Sequence, residues 1–191
     1  MPSPEKSPLR AKLLTARRAV PEQVRADEAA AIGSALVSWV RGRAATVAAY
    51  VPVGAEPGSP AMLDALHAAG IRVLLPVVPD PTPQPLLWAQ YVPGELTKAE
   101  FGLWEPAGPR LPAAAIAEAA VLVVPALAVD RRGTRLGRGA GFYDRSLPLR
   151  DPAAVLIAVV RDDEVVDELP ACPHDVPVSH VLTPARGVQQ L

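Results

Sequence analysis

With 191 residues, half of them apolar and a fifth charged, the chain is long enough to bury a substantial core and has the composition of a soluble globular domain. A formal net charge of -1 excludes a broad electrostatic footprint for nucleic acid or an anionic membrane, so any anion site must be local. The single cysteine, Cys172, excludes an internal disulfide, no apolar run is long enough to span a bilayer, and "MPSPEKSPLRAKLL" lacks the apolar core of a secretory signal. A monomeric cytoplasmic protein is the expectation.

The first predicted element is a helix from Ser7, with Ser7 as N-cap, Pro8 at its first position and Leu9, Leu13 and Ala16 on one face. A second helix runs through "PEQVRADEAAAIGSALVSWVRGR", offering Val24, Ala31, Ala35, Val37 and Val40 for burial. "TVAAYV" (46–51) reads as a buried strand. "SPAMLDALHAAG" reads as a helix capped by Ser59 and ended by Gly70. Strands follow at 71–78 and 85–92, separated by a proline-rich loop from Pro76 to Pro85. "PAAAIAEAA" (112–120) is a short helix, "VLVVPALAV" (121–129) a fully apolar strand, and 153–160 and 180–184 are the last two strands. The 23 prolines mostly punctuate the ends of these runs. Short apolar runs alternating with helices predict an α/β fold of one domain over 1–191: a three-layer αβα sandwich around a mostly parallel sheet.

One segment departs from this background. "RRGTRLGRGAGFYDR" (131–145) holds five arginines and four glycines, where the composition predicts about one glycine in a window of that length. It follows the most apolar strand, and such folds bind ligands beyond the carboxyl ends of their strands. The spacing Gly137-x-Gly139-x-Gly141 is neither a Walker A, since no Gly-Lys-Ser/Thr follows, nor a dinucleotide fingerprint, since Phe142 stands at the third glycine. Its physics is similar: glycine backbone can approach a ligand closely with its N–H groups turned inward. Arg135 and Arg138 can grip phosphate oxygens in bidentate fashion, and Asp144 suits a magnesium ion carried on a nucleotide. From these residues alone the ligand is a nucleotide or another phosphorylated molecule, with magnesium, and the reaction is open.

Five motifs in order give the chain a more specific resemblance. "PALAVDRRGTRLGRGAGFYDR" from Pro125 is similar to the signature "PG-x-x-FD-x-x-G-x-RLGRGGGYYDR" of the 5-formyltetrahydrofolate cyclo-ligase (5,10-methenyltetrahydrofolate synthetase) family. Lys6 and Arg10 resemble its "K-x-x-x-R", and Tyr50, Pro52 and Glu56 its "Y-x-P-x-x-x-E". Phe101, Gly102, Glu105 and Pro106 match "FG-x-x-EP", and Pro170, His174 and Asp175 match "P-x-x-x-HD". Val129, Ala140 and Phe142 depart from the pattern, standing where the family has phenylalanine, glycine or lysine, and tyrosine.

The resemblance implies an ATP- and Mg²⁺-dependent ring closure of 5-formyltetrahydrofolate to 5,10-methenyltetrahydrofolate, with the formyl oxygen phosphorylated on the way. It implies ATP contacts at Lys6, Arg10 and Arg135, Leu136, Gly137, Arg138, Gly139, Ala140, Gly141, Phe142 and Tyr143. Arg138, Arg135 and Tyr143 are the catalytic candidates. Substrate contacts fall on Val51, Glu56, Phe101, Arg138, Gly139, Gly141 and Phe142, and the metal ligands on Asp144 and Asp175. Phe101 could stack on the pterin or pack in the core. Trp88 and Trp104 belong to core or rim, His174 to a supporting position, and Cys172 to an inert one. The competing readings are a sugar-phosphate isomerase or CoA-transferase relative and a non-catalytic sensor of a phosphorylated metabolite, neither of which needs ATP.

Overall fold

The computed structural model describes residues 6–79, 84–99, 102–172 and 175–191. Seven strands form the main sheet: β1 (Thr46–Ala48), β2 (Arg72–Val77), β3 (Leu87–Gln90), β6 (Val121–Pro125), β9 (Val155–Val159), β11 (His180–Thr183) and β12 (Gly187–Gln190). Their order is β12-β11-β9-β6-β1-β2-β3, parallel throughout except for the edge strands β3 and β12. Two smaller sheets join β4 (Leu96–Lys98) to β5 (Trp104–Pro106), and β7 (Ala128–Asp130) to both β8 (Arg135–Leu136) and β10 (Val165–Val166).

Side chains alternate across a strand, so each buried strand feeds two cores. Val47, Val73, Leu75, Val121, Val123, Ile157 and Val159 share one core with helices α2 (Glu22–Val40) and α3 (Pro60–Ala68). Ala48, Leu74, Leu122, Val124, Leu156 and Ala158 face the other way. There they pack on Ile116 of the 3₁₀ helix Ala113–Glu118, on Leu147, and on Phe142 and Tyr143 of α4 (Phe142–Ser146). The expected αβα layering around a mostly parallel sheet is therefore present, with one helical layer made of short pieces.

Several local expectations shift. Helix α1 (Lys6–Ala19) already includes Ser7, so Ser7 is not its cap; Pro8 is accommodated in the first turn, where no N–H is needed. The face of α1 turned inward carries Lys6, Leu9, Leu13, Leu14 and Arg17, while Ala16 is exposed, because the third contact is polar and not apolar. In α2 the fully buried stripe is Ala29, Ile32, Gly33, Leu36 and Val40; Val24 is exposed and Ala31, Ala35 and Val37 are half-buried. The apolar run 121–129 is not one strand. It leaves the main sheet after Pro125, which has no N–H to continue a ladder, and re-enters pairing as β7 in a different sheet. The proline-rich loop starts later than expected, since β2 runs through Pro76 to Val77, three residues beyond the last β1 pairing at Leu74.

Candidate active site

The order of the parallel strands reverses between β1 and β6: the chain leaves β1 toward β2 on one side and returns at β6 on the other. A crevice opens beyond the carboxyl ends of strands at such a point. Here it is a cleft of about 590 Å³, floored by Tyr50, Val51, Pro125 and Ala126 from the ends of β1 and β6. One wall is the glycine-arginine segment, contributing Arg135, the run Gly137–Phe142, Tyr143 and Asp144. The other is apolar, with Pro76, Val78, Leu86, Leu103 and Trp104, and carries one carboxylate, Glu105.

The glycines of the segment do different work. Gly133, at φ +83°, passes so close to Val178 that a Cβ would sit 2.1 Å from its carbonyl oxygen; the Val178 N–H donates to the Gly133 carbonyl there at 2.9 Å. Gly139, at φ +100°, gives room for the Arg10 guanidinium, whose Cζ would lie 3.3 Å from any Cβ. Arg10 Nε donates to the Gly137 carbonyl at 2.9 Å, so α1 braces the loop from outside the cleft.

The charged residues meet in pairs. Arg135, almost fully buried, donates from Nη2 to Asp144 Oδ1 at 2.5 Å and lies over the Tyr143 ring at 5.8 Å, while its Nε has no partner among the described residues. Arg138, half exposed, holds Glu56 Oε1 at 2.9 Å, and Glu56 Oε2 accepts the Val53 N–H at 2.9 Å. Lys6 donates to Asp175 Oδ2 at 2.7 Å, and the same oxygen accepts the Cys172 N–H at 2.8 Å. Arg135, Arg138 and Lys6 are thus each matched to a different carboxylate. Burial, and then the Glu56 carboxylate, push the Tyr143 phenol above its ordinary value, with the Arg135 guanidinium pulling the other way. Tyr143 therefore keeps its proton at neutral pH and can donate it in a hydrogen bond.

Val51, Glu56, Arg135, Arg138, Tyr143, Asp144, the glycines 137, 139 and 141, Ala140 and Phe142 all face one cleft. Leu136 is buried against Leu127, Ala128 and Leu169, behind that wall. Lys6, Arg10 and Asp175 are not on the cleft wall: Arg10 reaches the loop from outside at the Gly137 carbonyl, and Lys6 and Asp175 pair with each other. Phe101 and His174 lie outside the described residues. Trp88 is core and Trp104, 47 % exposed, stands at the cleft rim. Among the described residues no cluster of three His, Cys, Asp or Glu side chains could cage a metal.

Sequence reasoning missed Arg17. It is 2 % exposed, lines the cleft, and donates to both oxygens of Glu164 (2.6 and 2.7 Å) and to the Ala126 carbonyl at 2.6 Å. The Ala126 bond pins the point where β6 leaves the main sheet. A basic residue on the inward stripe of α1 was the available signal; its partner, 147 residues away, was not legible.

A sequence profile of the 5-formyltetrahydrofolate cyclo-ligase family matches residues 2–184. The chain is 58 % identical to a 5-formyltetrahydrofolate cyclo-ligase of Mycolicibacterium smegmatis over 97 % of each chain. It is 32 % identical to the Escherichia coli K12 cyclo-ligase over 74 % of this chain and 79 % of that one. The solved structure of Aquifex aeolicus 5,10-methenyltetrahydrofolate synthetase superposes with a TM-score of 0.77 at 26 % identity, covering 97 % of this chain and 92 % of that one. A Mycoplasma pneumoniae synthetase structure shares the fold, with a TM-score of 0.73 at 21 % identity over 92 % and 96 % of the two chains. The chain belongs to the 5-formyltetrahydrofolate cyclo-ligase family.

Proposed function

We propose that this member of the cyclo-ligase family closes 5-formyltetrahydrofolate to 5,10-methenyltetrahydrofolate, converting ATP to ADP and phosphate in the cleft described above. The observation that carries the reading is the meeting of the glycine-arginine wall with Glu56 and an apolar wall on one cavity, in a chain 58 % identical to a named cyclo-ligase over nearly its whole length. A phosphate-gripping surface faces a surface suited to a flat, partly apolar ring. The isomerase and sensor readings give no reason for that pairing.

In the reaction the formyl oxygen attacks the γ-phosphorus and the bond to ADP breaks, leaving an N5 iminium phosphate. N10 then attacks the iminium carbon and loses its proton, and the C–O bond breaks with its electrons going to phosphate. Such transfers need alignment and neutralised charge more than covalent help from the protein. Arg135 and Arg138 supply fixed positive charge on the wall, and each exchanges its carboxylate partner for phosphate oxygens when the nucleotide binds. Tyr143, held protonated, donates a hydrogen bond to a phosphate oxygen. Lys6 and Arg10 belong to the same nucleotide site, Arg10 by bracing the loop at the Gly137 carbonyl and Lys6 by reaching phosphate once its pair with Asp175 opens.

Magnesium fits as an ion carried by the nucleotide. Such an ion takes one or two carboxylates plus phosphate oxygens. Asp144 is one-third exposed on the cleft wall, and its second oxygen takes no hydrogen bond from the described residues. Asp175, beside Lys6, is the second candidate ligand. The ion would neutralise charge on the transferred phosphate.

Among the described residues no helix is long and apolar enough to cross a membrane. A monomer acting on diffusing metabolites in the cytoplasm is the proposed setting, in keeping with the free thiol of Cys172.

The direct test is incubation of the protein with 5-formyltetrahydrofolate, Mg²⁺ and ATP. The expected result is methenyl product, read by its ultraviolet absorbance, that disappears when ATP is omitted or the metal is chelated. No product at any enzyme concentration overturns the reading.

A further inference from the structure

The two glutamates on the cleft differ in how they are held. Glu56 has both oxygens engaged, one by Arg138 and one by the Val53 N–H. Glu105 is 8 % exposed, and among the described residues its carboxylate accepts only the Val78 N–H, at 2.8 Å, and has no cation within ion-pair distance. Its neighbours on that wall are apolar: Pro76, Val78, Leu86, Leu103 and Trp104. A buried carboxylate without a counter-charge is costly unless its lone pairs are met by donors. One N–H fills a small part of that capacity, since an ionised carboxylate offers about four acceptor sites. The unfilled part belongs to a side chain on the cleft wall, so the missing donors fit a bound ligand.

The protein holds Glu105 firmly in place. It lies on β5, opposite Thr97 of β4, and its Val78 contact ties β5 to the carboxyl end of β2. It needs no rearrangement of ion pairs to accept a ligand, whereas each oxygen of Glu56 already takes one contact, from Arg138 or the Val53 N–H. Of the two substrates, ATP presents phosphate oxygens that a carboxylate repels. The pterin ring presents a 2-amino group and N3–H side by side, a donor pair spaced for the two oxygens of one carboxylate.

We propose that Glu105 is a specificity-determining substrate residue, accepting the paired 2-amino and N3–H donors of the pterin and so setting which way the ring lies in the cleft. This rests on the cyclo-ligase reading, with Glu56 acting on the substrate from the opposite, loop-facing side. The apolar wall then packs on the ring faces, and Trp104 closes the rim.

The test compares wild type with Glu105→Gln, using 5-formyltetrahydrofolate and its 2-desamino analogue. Glutamine keeps an oxygen for the Val78 N–H, so melting stays near wild type, but it presents an amide N–H₂ where the ligand also donates. The expected result is a KM for 5-formyltetrahydrofolate raised roughly tenfold or more, with kcat and the KM for ATP changed by less than about threefold. Wild type should penalise the desamino analogue by a similar factor, and the variant should barely distinguish the two compounds. A purely structural clamp at Val78 predicts neither effect. An unchanged folate KM in Glu105→Gln, or an analogue penalty equally large in both proteins, overturns the proposal. The analogue comparison on wild type needs no variant to fold, and equal KM values there also overturn it. Failure of the cyclo-ligase reading would be seen separately, as wild type inactive on 5-formyltetrahydrofolate itself.

Discussion

Two arginines on the cleft wall each hold a glutamate, and burial sets them apart. The Arg17–Glu164 pair is sealed, with side chains 2 % and 4 % exposed and both oxygens of the carboxylate engaged. The Arg138–Glu56 pair is open on the arginine side, at 50 % and 10 %. A sealed pair cannot exchange partners without taking a bare charge into an apolar interior, so its role ends with holding the fold. An open pair loses little when it parts, because water already solvates one member. The same chemistry thus fixes the floor of the cleft in one place and leaves a cation available to a ligand in the other.

The largest effect expected from this contrast is on stability. Arg17→Met strands Glu164 as a buried charge and leaves the Ala126 carbonyl without its donor, at a cost of about 3–5 kcal/mol in thermal or denaturant unfolding. Adding Glu164→Leu removes the stranded charge and should recover part of that loss, although the Arg161 N–H then loses its acceptor. A single variant that unfolds like wild type would break the distinction at its root.

Arg138→Ala acts on the other side of the contrast. Turnover should fall by about 10²–10³-fold, the scale seen when one preorganised charge-stabilising donor is removed. Stability should change by less than about 1 kcal/mol, as for an exposed pair. Wild-type turnover in this variant would strip Arg138 of its role and leave its pair with Glu56 a surface contact.

The sequence makes one half of this comparison legible and hides the other. Arg138 stands in a run of glycines after an apolar strand, and local composition alone marks it. The parallel strands 46–48, 121–125 and 155–159 are equally plain, because burial on both faces demands unbroken apolar runs. Arg17 is hidden because its meaning depends on Glu164, which only the folded chain brings near. The break after Pro125 is hidden for a related reason: residues 121–129 are apolar throughout, and only the small sheet of β7, β8 and β10 explains why their second half turns away. Glu105 sits inside a legible motif, yet its lack of a cationic partner is a fact of the folded structure alone.

The smallest expected effect concerns the phenols, and it reports on Glu56 directly. All three tyrosines of the chain are held above their ordinary value, each first of all by burial. Tyr91 is pushed up to about 12, helped by its hydrogen bond to Asp64. For Tyr50 and Tyr143 the second cause is the Glu56 carboxylate. The sign follows from linkage. Below the unfolded phenol value of about 10 every tyrosine is protonated in both states, and pH has no effect through them. Above it the unfolded chain releases protons that the folded chain keeps, so stability falls as pH rises, by up to about 1.4 kcal/mol per pH unit for each phenol. An ultraviolet titration of the folded protein should therefore show no phenolate step near pH 10, with absorbance appearing only higher and together with unfolding. Three phenols titrating near 10 while circular dichroism stays native would contradict that burial. Glu56→Gln should bring Tyr143 part of the way down, and only part, because burial outweighs the carboxylate. No shift at all would mean that the open pair already cancels the charge of Glu56, so that Arg138 remains bound to it and is not held ready for phosphate.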